Sequence, residues 1–400
     1  MPPNPAASRR VRAWARGALL LEAGRAWDLD PAGTPEPVAD LLEVVQRHRV
    51  AELLASQADG LGLPAEIAQP LVGIRAASRR AAMVQVLETG RVQGLFAEAE
   101  VPCLMIKGPA LAVQSAGDPA ARGAGDVDVL VAPERIEDAY RLLADHGWRL
   151  REGTEVTPGT WAWRHVIRSF NAFTFDGPGS TVDLHWRLDP TLDALPDFAV
   201  AWQRREQVNI GGLVVPTLAH ADLLAHTSLH TAKDSWRWMR SLVDVHRLAR
   251  DPRTWERPSG SLRRLEVSTL AVTREIVGLP DGVPAEVLAL VDRVPSSVLA
   301  RARAAQDRPV YATYPFPGTE SLRLLRYMVA ASPTRRDLGH SVVSTVLPVK
   351  AVVGIESRSG WTGVPLTLWY RIRRLRRRSV AWVRREPGAG VVEPLVRTPR

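Results

Sequence analysis

The sequence predicts an α+β protein in which a small mixed β-sheet lies between two helical regions. Three observations point there. Apolar residues recur at helical spacing through residues 8–27 and 37–99, as with Leu41, Leu42, Val45, Val50, Leu53 and Leu54. From about residue 100 the pattern changes to short apolar runs with acids at alternate positions. Helical spacing then resumes at about residue 219 and continues, punctuated by prolines, to about residue 380.

In order, a Pro- and Gly-containing break, DPAGTPEP, separates the first helix from the second block, and a further helix around Ala81–Ala99 leads into VPCLMI. Strands are expected at 101–106, 126–131 and 181–187, with a hairpin over 163–176. PERIEDAYRLLADHG opens on a proline and a first-turn acid and ends at a glycine, so it reads as a helix from Pro133 to Gly147. These divisions give a helical N-terminal region over 1–99, a core over 100–190 and a helical subdomain over 191–255 facing the substrate. A helical C-terminal region over 256–365 and a basic tail over 366–400 complete the chain.

Composition narrows the function. Apolar residues are 46% and charged residues 24%, enough for a sizeable core and too apolar for disorder. The formal charge of +9 is a property of one end: residues 371–400 hold ten arginines and two glutamates, a net of +8, leaving +1 for residues 1–370. The arginines of 371–385 suit an anionic surface, whether lipid or nucleic acid, and equally a solvated terminal helix. No apolar run reaches the ~20 residues a membrane helix needs; Val342–Ile355 is short and contains Pro348 and Lys350. GALLLEAG, behind the N-terminal arginines, is too brief for a secretory signal. The single cysteine, Cys103, excludes an intrachain disulfide, suits a cytoplasmic protein and reads as an inert buried thiol.

The chemistry concentrates in IKGPALAVQSAGDPAARGAGDVDVLVAPE, residues 106–134. Side chains alternate along a strand, so Asp126 and Asp128 share one face and Val127 and Val129 the other. Two like charges on one half-buried face call for a cation, and magnesium meets that demand with oxygen ligands. In TVDLHWRL, Asp183 and His185 share a face and bring a third carboxylate. The three acids are expected to converge at about 4–6 Å, from the reach of metal–oxygen bonds. Lys107 and Gly108 open a helix whose N-terminus favours phosphate, and Arg122 is either a second phosphate partner or an ordinary loop arginine. His226 and His230 are four apart on one helical face but lack a glutamate base and a third ligand at zinc spacing. They pack beside a pocket or within the helical core, with Lys233 and Asp244 at its edge.

IKGPALA, GDPAARGAGDVDVLV, the helix ending in HGW, and VDLHWRL follow one another in an order that resembles the bacterial uncharacterised nucleotidyltransferase family. That family is a branch of the DNA polymerase β-like nucleotidyltransferase superfamily. The resemblance continues into AHADLLAHTSLHTAKDSWRWMRSLVDVHRLAR and covers about residues 40–250. It implies a nucleotidyltransferase core, with Asp126, Asp128 and Asp183 as catalytic and metal-binding acids for Mg2+, or Mn2+ in its place. Lys107, Gly108, Arg122, His185, His230 and Lys233 would bind nucleotide and phosphate. Pro109 follows Gly108 where the superfamily usually carries serine or glycine. The expected partners are a nucleoside triphosphate such as ATP and an acceptor of unknown class: small molecule, protein or nucleic-acid end. A non-catalytic nucleotide- or partner-binding protein retaining the fold is the alternative.

Overall fold

The computed structural model describes residues 4–27, 36–123, 125–257, 262–308, 319–332 and 334–347, and ten further positions between 352 and 373. The basic tail read as an anionic contact over 371–385 lies outside the described residues apart from positions 372 and 373. The chain opens with α1 (Pro5–Glu22), α2 (Val38–His48), α3 (Ala51–Ser56) and the 34-residue α4 (Ala65–Glu98). Then come β1 (Cys103–Met105), α5 (Gly108–Ala116), β2 (Val127–Val131), α6 (Ile136–Asp145), β3 (Arg149–Leu150), α7 (Trp161–Ser169), β4 (Ala172–Asp176) and β5 (Thr181–His185). A helix α8 (Phe198–Arg204) and a hairpin of β6 (Glu206–Asn209) and β7 (Val214–Thr217) follow. The described remainder is helical: α9 (His220–Lys233), α10 (Met239–Arg250), α11 (Arg264–Ile276), α12 (Ala285–Val291), α13 (Ser296–Gln306), α14 (Thr319–Ala331) and α15 (Arg335–Val346).

The main sheet has the order β1-β2-β5-β4-β3, and only the β2–β5 pair is parallel. All five strands fall within residues 100–190, where the sheet was expected. Period-two alternation sorts their side chains between two cores. Val127, Val129, Val131, Val182 and Leu184 pack with Val86, Val92 and Phe96 of α4, with α6 and with α7. Leu104 and Leu130 join the opposite core with α5, α9, α10 and α11. A third core ties α1–α3 and the start of α4 to α9, α10, α13 and α14. Cys103 is buried, and burial pushes its thiol up to about 12, as an inert packing residue requires.

Two expectations are corrected. Residues 163–176 are not a hairpin, because α7 occupies Trp161–Ser169 and only β4 is extended. Thr160 caps that helix, its Oγ1 accepting the Trp163 N–H at 3.1 Å. Ala162, Trp163 and Val166 then face the sheet core, where Trp163 packs 5.1 Å from Phe173 and 5.3 Å from Tyr140. Bulky residues that favour strands in isolation are here recruited by packing. The stretch 191–255 is also not wholly helical. Its β6–β7 hairpin turns at Gly211 and Gly212, both at positive φ, with Asn209 Oδ1 accepting both N–H groups at 3.0 and 2.6 Å. Thr217 at the hairpin's end donates to the Met105 carbonyl at 2.6 Å, covering the β1 edge of the sheet.

Candidate active site

Parallel pairing of β2 with β5 sets Asp128 directly opposite Asp183, and Leu130 opposite His185. Asp128, Asp183 and His185 offer ligand atoms that all lie within 4.8 Å of one another, the one such group of metal-binding type among the described residues. At an effective dielectric of about 20, two carboxylates at that separation repel by about 3 kcal/mol, so compensation must be built in. It comes from Lys107 at the N-terminus of α5, whose Nζ donates to Asp128 Oδ1 at 2.9 Å. Burial opposes ionisation of Asp128, but Lys107 and His185 outweigh it and hold the carboxyl well below the usual range.

The Asn171 amide Nδ2 lies 3.4 Å from His185 Nδ1, and His185 Nε2 lies 3.2 Å from Asp128 Oδ1. His185 thus touches the Asp128 carboxylate and belongs to the same metal-type group. Thr174, opposite Asp183 on β4, donates to Asp183 Oδ1 at 2.7 Å. Each acid has one oxygen held and the other without a hydrogen bond among the described residues. Asp126 stands one residue before β2 on the exposed lip and is not part of the 4.8 Å group. Burial, then the charges of Asp183 and Asp128, raise its carboxyl above the usual value.

Helices supply the opposite wall. His226, His230 and Lys233 occur along α9, and all three sense the Lys107 charge. Burial first and Lys107 second hold His226 well below its ordinary value. For His230 the Lys107 charge leads and burial follows, so both rings are neutral donors near neutral pH. Burial also lowers Lys233. Among the described residues Lys233 makes no hydrogen bond or ion pair, and His226 Nδ1 is buried without a partner. His226 and His230 rings lie 6.3 Å apart, and the metal-type group above includes neither. The loop after Lys233 carries Ser235 and Trp236 at positive φ, a strained pair fixed by Trp236 Nε1 donating to Thr269 at 2.8 Å.

The expected residues thus divide. Asp128, Asp183, His185, Lys107 and Gly108 come together, with Asp126 at the lip and His230 and Lys233 facing them. Arg122 is occupied: its Nε donates to Asp244 at 2.7 Å, and the Asp244 side chain is 1% exposed. Arg240, pushed down to about 9 by burial and then by Arg122, donates to the Arg122 carbonyl at 3.3 Å. Sequence reasoning missed Asn171, Thr174, Arg240 and Gln85. Gln85 on α4 accepts from Gly125 N at 3.0 Å and donates to the Asp126 carbonyl at 2.7 Å. Thr174 was within reach, since period-two alternation on β4 puts it beside Asp183. For Gln85 the one signal was a lone amide among Ala82, Val86 and Thr89 on the buried face of α4.

An α+β core with a carboxylate–imidazole group able to hold a metal, beside the His226, His230 and Lys233 face of α9, sets the class of protein. The chain belongs to the uncharacterised nucleotidyltransferase family, whose description matches residues 34–272. No curated protein matches it. Among the described residues no helix is long and apolar enough to cross a membrane.

Proposed function

We propose that this protein transfers a nucleoside monophosphate from a nucleoside triphosphate to an acceptor hydroxyl. The observation that carries the reading is Asp128 paired in register with Asp183, beside α9, where Lys233 makes no hydrogen bond or ion pair and His226 Nδ1 makes no hydrogen bond among the described residues. The donor set fits a divalent cation: two carboxylates, each with one oxygen free of hydrogen bonds among the described residues, and a histidine in contact with Asp128. Oxygen ligation beside an imidazole favours Mg2+, with Mn2+ as its substitute. Asp128 and Asp183 would hold it, and Asp126 adds a third carboxylate from the lip. When bound, the cation would supply charge neutralisation and Lewis-acid activation of the phosphoryl group.

The chain's own residues do the rest. His226, His230 and Lys233 recur at helical spacing over about 10 Å of α9, long enough to contact successive phosphates of one polyphosphate. Lys107 bridges Asp128 and the phosphate oxygens. A phosphate arriving beside Lys233 would favour its charged form, which burial opposes, so binding and protonation reinforce each other. Asp183, held at Oδ1 by Thr174, presents its other oxygen to orient or deprotonate the acceptor hydroxyl. Arg122 belongs to the wall and not to the phosphate set, because Asp244 already holds it.

A thermal-shift screen of the four nucleoside triphosphates, with and without Mg2+, tests the reading. Ligand at about 100 times its dissociation constant should stabilise the fold by about 2.7 kcal/mol, and only with the cation present. Absence of a shift with every triphosphate would overturn the proposal. A shift without pyrophosphate release across a broad acceptor screen would support the non-catalytic alternative.

A further inference from the structure

We infer that Gln85 of α4 is a positioning residue for the metal site, fixing where the Asp126 carboxylate stands relative to the Asp128–Asp183 pair. The inference rests on the metal-binding reading above. Paired β2 residues begin at Val127, so Asp126 and Gly125 lie just outside the strand ladder. Gly123 upstream sits at φ +73, and Gly125 has no side chain to anchor it, so this lead-in has unusual backbone freedom. Gln85 removes that freedom. It is 5% exposed, and both its polar atoms are used on adjacent residues: Oε1 accepts the Gly125 N–H at 3.0 Å and Nε2 donates to the Asp126 carbonyl at 2.7 Å.

The same amide also abuts the phosphate-side turn. Gly108 has φ +56, and a Cβ there would stand 2.9 Å from Gln85 Nε2 and 3.9 Å from the Asp126 carbonyl oxygen. Gln85 is thus wedged between the Lys107–Gly108 turn and the start of the acid-bearing strand, and it sets their separation. Asp126 needs such a brace more than the other acids do. Lys107 and His185 fix Asp128 and Thr174 fixes Asp183, whereas no hydrogen bond or ion pair to the Asp126 side chain occurs among the described residues. A residue that supports a metal ligand in this way typically changes metal affinity by about 10–100-fold when it is lost.

The test is Mn2+ titration of the full chain by electron paramagnetic resonance, on wild type, Gln85→Met, Asp126→Asn and the double variant. Gln85→Met should weaken Mn2+ by about 10–100-fold and alter the spectrum of the bound ion. Asp126→Asn should weaken it too, and adding Gln85→Met in that background should cost little more, because both act through one carboxylate. Should Gln85→Met fail to fold, Gln85→Glu, which keeps the acceptor for Gly125 and loses the donor to Asp126, carries the same test with a smaller loss. Unchanged Mn2+ affinity in a folded Gln85 variant would overturn the inference. So would a loss that persists in full beside Asp126→Asn. Absence of Mn2+ binding by the wild type would be a different result, overturning the metal site itself.

Discussion

The two walls of the site are built in opposite ways. On the sheet side Asp128 and Asp183, 55 positions apart, come from two adjacent strands, and a single parallel register brings them together, with Asp126 one residue before β2. On the helix side the cations come from α5, the loop carrying Arg122, α9 and α10, and most are already spent. Arg122 is tied to Asp244, Arg240 to the Arg122 carbonyl and Lys107 to Asp128. Lys233 alone of these four has no hydrogen bond or ion pair among the described residues. A cation with no direct ion pair is free to meet an incoming anion, whereas a buried cation with a dedicated carboxylate is already committed. On the proposed function, the difference separates residues that hold the wall from residues that would meet the triphosphate.

The largest effect should come from Asp128→Asn. Pyrophosphate release should fall by about 1,000-fold or more, because electrostatic stabilisation is needed chiefly in the transition state. The variant should also lose stability, since Lys107 is left without its carboxylate. Asp126→Asn should behave oppositely in the fold, raising stability slightly near neutral pH. Its carboxyl is raised in the native state, so its ionised form opposes folding once pH exceeds that value. Chemical denaturation of both variants checks the contrast, and equal stability changes would break it.

On the helix side, Arg122→Met should cost about 3–5 kcal/mol of stability by stranding buried Asp244. Lys233→Met should leave stability near wild type while weakening triphosphate by about 10–100-fold, the loss of one charge-assisted contact. Calorimetric titration and denaturation of the two variants decide this. If Arg122→Met folds normally and loses nucleotide, the division between wall and ligand groups is wrong.

How much of this was legible follows from how each wall is made. DVDVLV and VDLHWRL display their chemistry because strand alternation is local, so the faces of Asp128, Asp183 and His185 could be read directly. The register that sets Asp128 opposite Asp183 is a tertiary fact, and nothing in either segment encodes it. Lys233 and His230 were legible as neighbours on one helix, but not Arg122's commitment to Asp244, 122 positions away. The β6–β7 hairpin was missed by the helical reading of 191–255, although VNIGGLVV carries its signal, two glycines after an asparagine between β-branched residues. Helix α7 was not, since its aromatic residues favour extended chain until the sheet core recruits them.

The helix wall should also be the more acid-sensitive, through His48. It ends α2, is 1% exposed, and Nδ1 accepts the Met239 N–H at 3.4 Å, at the first residue of the α10 helix that carries Arg240 and Asp244. Burial first, then Arg47, Arg12 and Arg237, lower its pKa from 6.5 to about 3. A helix N-terminus adds a further reason to exclude a cation. The unfolded chain takes up the proton near 6.5 and the native chain only near 3. The stability contribution is therefore complete above 6.5 and drains away as pH falls toward 3. From pH 7 to pH 5 that loss amounts to about 2 kcal/mol. His48→Gln keeps an acceptor for Met239 without a titrating ring, so its stability should fall less over the same interval. Urea unfolding of both proteins at the two pH values measures the difference. Parallel losses would show that His48 is not the group through which acid loosens α10.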